Sequence, residues 1–122
     1  MEQVMDLLAE ISPSISLPGS ESLAYAIFYA AKALQETPVP GAIHITKSVY
    51  SPAAEKTGKP QTAVIRAINR AANNCWMDGQ NVRLNEIIGT TLPTRPKPRE
   101  FILYCSYYLT YGKPYHKSFE EV

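Results

Sequence analysis

Apolar residues recur along this chain at helical rather than alternating intervals, and prolines and glycines cut the pattern into short segments. Gln3 to Ile11 reads as a short amphipathic helix. It should end before the Ser12-Pro13 step, because a residue preceding proline is pushed out of the α region. Ser20 is a suitable N-cap for a longer helix through about Gln35, which Thr37-Pro38 terminates. That helix places Leu23, Ile27, Ala30, Ala31 and Leu34 on one face. After the PVPG linker, Ile43 to Tyr50 is read as a further helix or turn. Ser51-Pro52 then reads as the N-cap and first residue of a brief helix that Gly58 stops. Pro60 opens the next helix, expected to run to Asp78 with Gly79 beyond its end. A short helix over Val82 to Ile88 ends at Gly89, TLPTRPKP is a loop, and Pro98 opens a last helix through Thr110. The expected organisation is one domain over residues 1–111 and a loose C-terminal tail over 112–122. No alternating run of strong β-character and no internal repeat interrupts this, so the fold class predicted is all-α.

The most informative segment is Gln61 to Met77. Val64, Ala67, Ile68, Ala71, Ala72, Cys75 and Trp76 recur at steps of three and one, which is a helical apolar stripe. The other face carries Thr62, Ile65, Arg66, Asn69, Arg70 and Asn73, and no acid at all. Arginine and asparagine are the side chains that bond bidentately to guanine and adenine edges in a major groove. A solvated helix face is the plain alternative, and composition by itself does not decide between them. The preceding segment shifts the balance. A short helix (SPAAEKT), a glycine turn (GK) and a longer helix make a helix-turn-helix arrangement. In the spacing Ala54-x-x-x-Gly58-x-x-x-x-x-Val64, Ala54 is small where helices cross, Gly58 permits positive φ, and Val64 packs beneath. Ordinary αα-hairpins can show the same spacing.

Composition narrows the class further. The chain has 122 residues, 45% hydrophobic and 19% charged, which is the range of a single globular domain. Its longest apolar stretch, Leu23 to Leu34, is broken by Lys32 and falls short of the about 20 residues a membrane span needs. The opening MEQVMDLLAE has no basic segment of the kind a secretory signal carries, and two cysteines fit a reducing compartment. A cytoplasmic protein with no membrane partner is therefore expected. The net charge of +1 conceals an asymmetry. Residues 1–39 hold one base against five acids, whereas residues 40–100 hold nine bases against four acids. A basic middle half hints at a polyanionic partner.

Other candidates for chemistry are weak. His44 and His116 lie far apart without metal-ligand spacing, so no metal or cofactor is expected. Cys75 lies on the apolar stripe and reads as a small core residue rather than a nucleophile. Gly58-Lys59 lacks the upstream glycine and following hydroxyl of a phosphate loop. Tyr104, Tyr107, Tyr108 and Tyr111 suit core packing first and a dimer or partner surface second. Nothing in the pattern argues for an enzyme.

Four pieces in order, namely ITKSVYSPAAEKTGK, VIRAINRAANNCW with a glycine two residues later, IIGTT and RPKPREFI, carry a family resemblance. Over roughly residues 5–110 the chain resembles the C-terminal DNA-binding effector domain of the stage-zero sporulation response regulator of endospore-forming bacteria. The resemblance implies about six helices with a central helix-turn-helix, and dimers on double-stranded DNA. Carried over by position, the reading helix contains Thr62 to Arg70. Arg66 matches a base-contacting arginine, and Thr62 matches a small hydroxyl residue. Ala63 and Ile65 stand where the family has an arginine and a glutamate that touch DNA, so a different sequence preference is expected. A stand-alone module without a preceding receiver domain is expected, and Asp6 and Asp78 are the only aspartates in these 122 residues. Control is therefore expected to act on abundance, partners or the tail.

The resulting expectation is a stand-alone transcriptional regulator. Lys47, Lys56, Lys59 and Arg70 would hold phosphates. Thr62, Arg66 and Asn69 would reach base edges, and Ile65 would meet a thymine methyl. The rival is a helix-turn-helix scaffold repurposed to grip a protein, for example an antagonist encoded by a mobile element.

Overall fold

Six α-helices and no strand are found among the described residues of the computed structural model, which are 1–12, 17–78 and 81–116. They are α1 (Glu2–Ile11), α2 (Leu17–Glu36), α3 (Ser51–Thr57), α4 (Gln61–Asp78), α5 (Asn81–Ile88) and α6 (Pro98–Tyr111). The all-α class and the helix-turn-helix order α3-turn-α4 are those read from the sequence. Gly79 and residues 117–122 lie outside the described residues.

α2 is the central strut, packed against α1, α3, α4 and α6. Its Leu23, Ile27, Ala30 and Leu34 are fully buried. Ala24 and Ala26, also buried, let neighbouring backbones approach closely. Phe101 and Ile102 of α6, Ile68 of α4, and Leu8 and Ile11 of α1 complete a single core. Among the described residues no helix is long and apolar enough to cross a membrane.

Two helix starts differ from the sequence expectation. α2 begins at Leu17, so Ser20 lies inside its first turn, fully buried, instead of capping it. Pro18 fits such a first turn because the N–H it lacks would have no intrahelical partner there. Ser51 is likewise no N-cap. Its φ of −63° and ψ of −49° are helical, and its N–H donates to the Thr46 carbonyl five residues back. A π-helical turn over Thr46–Tyr50 therefore runs straight into α3. Pro52 supplies the cause, since its ring offers no N–H and crowds the carbonyl four residues earlier, and a widened turn relieves both. Of the two adjacent alanines, Ala53 is the fully buried one, and Ala54 packs at the core's edge.

Gly58 ends α3 with φ +69° and ψ +23°. Its N–H donates to the Glu55 carbonyl at 3.3 Å while the Lys59 N–H reaches back to Ala54 at 3.2 Å, the paired closure of a Schellman turn. A side chain added at Gly58 would meet nothing within 4 Å, so only the left-handed backbone resists substitution. Gly58→Ala should therefore destabilise the fold by about 1–2 kcal/mol in a urea titration. An unchanged midpoint would contradict that backbone conformation.

Gly89 closes α5 with φ +92°, and its N–H donates to the Asn85 carbonyl at 2.8 Å. α6 opens at Pro98, where the Glu100 carboxylate accepts the Lys97 N–H at 2.9 Å. Arg83 of α5 ties three helices together. It pairs with Glu10 of α1 at 3.4 Å and Glu86 at 3.1 Å, and lies over the Tyr108 ring of α6 at 5.3 Å. The segment after α6 begins packed. Tyr115 meets Tyr104 and Tyr107 edge-on at 5.8 and 5.2 Å, and His116 Nε2 lies 3.1 Å from the Tyr104 hydroxyl.

Candidate nucleic-acid interface

α4 starts after the Gly58 turn, with the Pro60 carbonyl accepting from Ala63 at 3.0 Å and from Val64 at 3.1 Å. At 3.6 residues per turn, Val64, Ile68, Ala71, Ala72 and Cys75 fall on one side and are buried. Ala67 is half-buried, and Trp76, expected inside the core, is half-buried against its edge. The opposite arc holds Thr62, Arg66, Asn69 and Arg70, all exposed, with Asn73 half-buried beside them. Ile65 sits within this arc but is half-buried, less open than the sequence suggested. No acid interrupts the face.

Lys56, in the last turn of α3, and Lys59, in the turn itself, are both exposed next to the start of α4. The positive end of the α4 macrodipole adds to their field. Lys47 is exposed on the π-helical turn, nine residues before Lys56 and so about 13 Å further along the helical stretch. Its N–H donates to the Nδ1 of exposed His44 at 3.4 Å. The structure thus gathers Thr62, Arg66, Asn69, Arg70, Lys56 and Lys59 around the first half of α4, and leaves Lys47 apart.

One cation escaped the sequence reading. Arg95 lies in the loop before α6, yet its guanidinium donates to the side-chain carbonyl of Asn73 on α4. The only sequence signal was the run of bases in TRPKPRE, which does not say where the loop folds.

The thiols play no part in this surface. Cys75 and Cys105 are both fully buried, and burial pushes the Cys75 thiol up to about 11 and Cys105 higher still. Both are protonated at neutral pH and serve as packing. Burial also raises the Tyr50 hydroxyl, with Arg99 nearby pulling the other way. Among the described residues no group of three or more His, Cys, Asp or Glu side chains could hold a metal ion.

A short helix, a left-handed glycine turn and a following helix with an acid-free, cationic outer face make a helix-turn-helix arrangement within an all-helical domain. The model of the family described as Sporulation initiation factor Spo0A C terminal matches residues 4–109, nearly the whole chain. The protein belongs to that family, which is one of DNA-binding regulatory domains and not of enzymes. Comparison with curated proteins and with solved structures gives no match.

Proposed function

We propose that this protein is a transcriptional regulator that binds duplex DNA sequence-specifically, with the N-terminal half of α4 in the major groove. The observation that carries this is the exposed arc Thr62–Arg66–Asn69–Arg70, free of acids, set just after the Gly58 turn in a member of a DNA-binding family. A recognition helix enters the groove by its N-terminal residues, which is where Thr62, Ile65 and Arg66 sit. Arg66 reads a guanine edge with its two-pronged guanidinium, Asn69 an adenine edge, and Thr62 either. Ile65 lies against a thymine methyl. Lys56, Lys59 and Arg70 hold phosphates on either side and fix the register, with Lys47 reaching the backbone further out. Two copies bind together on DNA as a homodimer.

Salt dependence tests the phosphate contacts. Each phosphate neutralised releases counterions, so affinity should fall steeply as salt rises. Lys56→Ala or Lys59→Ala should weaken binding to all duplexes alike and make the slope of log K against log salt shallower by about one unit. Binding insensitive to salt, or no duplex binding at low salt, would overturn the proposal. The half-buried Ile65 inside a polar face supports the second reading, in which this arc grips a protein.

A further inference from the structure

We infer that the cavity between α4 and the loop preceding α6 is an anion seat that takes a phosphate group between Arg70 and Arg95. The cavity has a volume of about 410 Å³ and is lined by Asn69, Arg70 and Asn73 of α4 and by Arg95, Pro96 and Pro98 of the loop and helix start. Two arginines from separate segments line it, and no acidic residue does. Among the described residues the ion pairs all belong to Arg83, so neither Arg70 nor Arg95 has an acid to neutralise it. Two like charges facing one cavity repel each other across it, and an oxyanion placed between them converts that repulsion into attraction.

The seat is built rather than accidental in its parts. Arg95 is tethered through one guanidinium nitrogen to the Asn73 side chain, and its other N–H donors remain for a ligand. Pro96 holds the backbone of Arg95 in the extended region and Pro98 fixes its own φ, so the loop backbone that carries Arg95 has less freedom to lose. A guanidinium fork matches two phosphate oxygens. Phosphate is the ligand chemistry that fits. It has two sources: a phosphodiester of the duplex, which rests on the DNA-facing reading of α4, or the phosphate of a soluble compound.

The full-length chain tests this through Arg95→Ala, Arg95→Lys, Asn73→Ala and, as a control, Lys97→Ala. Lys97→Ala removes the same charge from the same loop but outside the cavity. Duplex binding is measured across a salt series, and inorganic pyrophosphate is added to each protein in a thermal unfolding assay. Arg95→Ala should weaken binding to every duplex by about tenfold and flatten the salt slope by about one unit. Asn73→Ala should do part of the same without any change of charge. Arg95→Lys should recover the slope and only some of the affinity, since a point charge replaces the fork. A flattened slope assigns the seat to the DNA backbone. Loss of pyrophosphate protection in Arg95→Ala with the slope unchanged assigns it to a soluble phosphoanion. If the wild type binds duplex DNA while Arg95→Ala keeps both its slope and its pyrophosphate response, the seat is wrong and the DNA reading stands. Equal losses in Lys97→Ala and Arg95→Ala would show a diffuse charge effect and overturn the seat. If the wild type binds no duplex, the DNA reading fails and pyrophosphate alone decides: no protection of the wild type overturns the seat as well.

Discussion

Ile68→Ala should lower the unfolding free energy by about 2–5 kcal/mol, a large part of the 5–15 kcal/mol typical of a domain. Ile68 is fully buried on the inner side of α4, where that helix packs against α2 and α6. Removing three carbons there leaves a void that a close-packed interior fills only in part, so lost burial and lost dispersion add. Ile68→Val removes one methyl and should cost about 0.5–1.5 kcal/mol. Urea titrations of the two variants check the ratio. Equal small losses in both would mean that α4 is not seated on the core as described. A loosened α4 also bears on function, because the arc above Ile68 keeps its geometry only while the helix is held down.

Arg66→Ala isolates that arc from the core. If DNA is the partner, this change should cost about 1–3 kcal/mol of affinity on the preferred site and relax the choice at one base pair. Thermal stability should stay within about 0.5 kcal/mol of the wild type, since Arg66 is exposed and makes no ion pair among the described residues. Binding assays on a set of single-base site variants show the relaxation directly. Ile65→Glu is the companion test at the neighbouring position. On DNA it should shift preference toward a site with cytosine, whose amino group a carboxylate accepts. If the arc grips a protein instead, the same change should abolish the complex by burying an unpaired charge. Intact partner binding and unchanged DNA preference in both variants would show that this arc is neither surface.

What the sequence determined by itself is local and periodic. The stripe Val64–Ile68–Ala71–Ala72–Cys75 needs only a helical repeat to be legible, and the same repeat turns Arg66, Asn69 and Arg70 outward. Gly58 was legible for a different reason, because only a left-handed residue closes a turn this tight between two helices. Tertiary structure decided the rest. Ser51-Pro52 looks like a helix start from its neighbours alone. In the fold, Val49 is buried and Tyr50 half-buried next to α2, which holds the preceding residues helical and passes the proline through a π turn. Ser20 suits a cap by local preference, yet α2 begins at Leu17 and carries Ser20, itself fully buried, inside its first turn. The contact between Arg95 and Asn73 joins residues 22 apart, and Tyr115 meets rings on α6 from beyond the helix's end. Propensity and periodicity act over a few residues, so they fix which way a side chain leaves its own helix. Which distant segment it then meets depends on how helices pack, and that choice is made by the burial of the whole core at once.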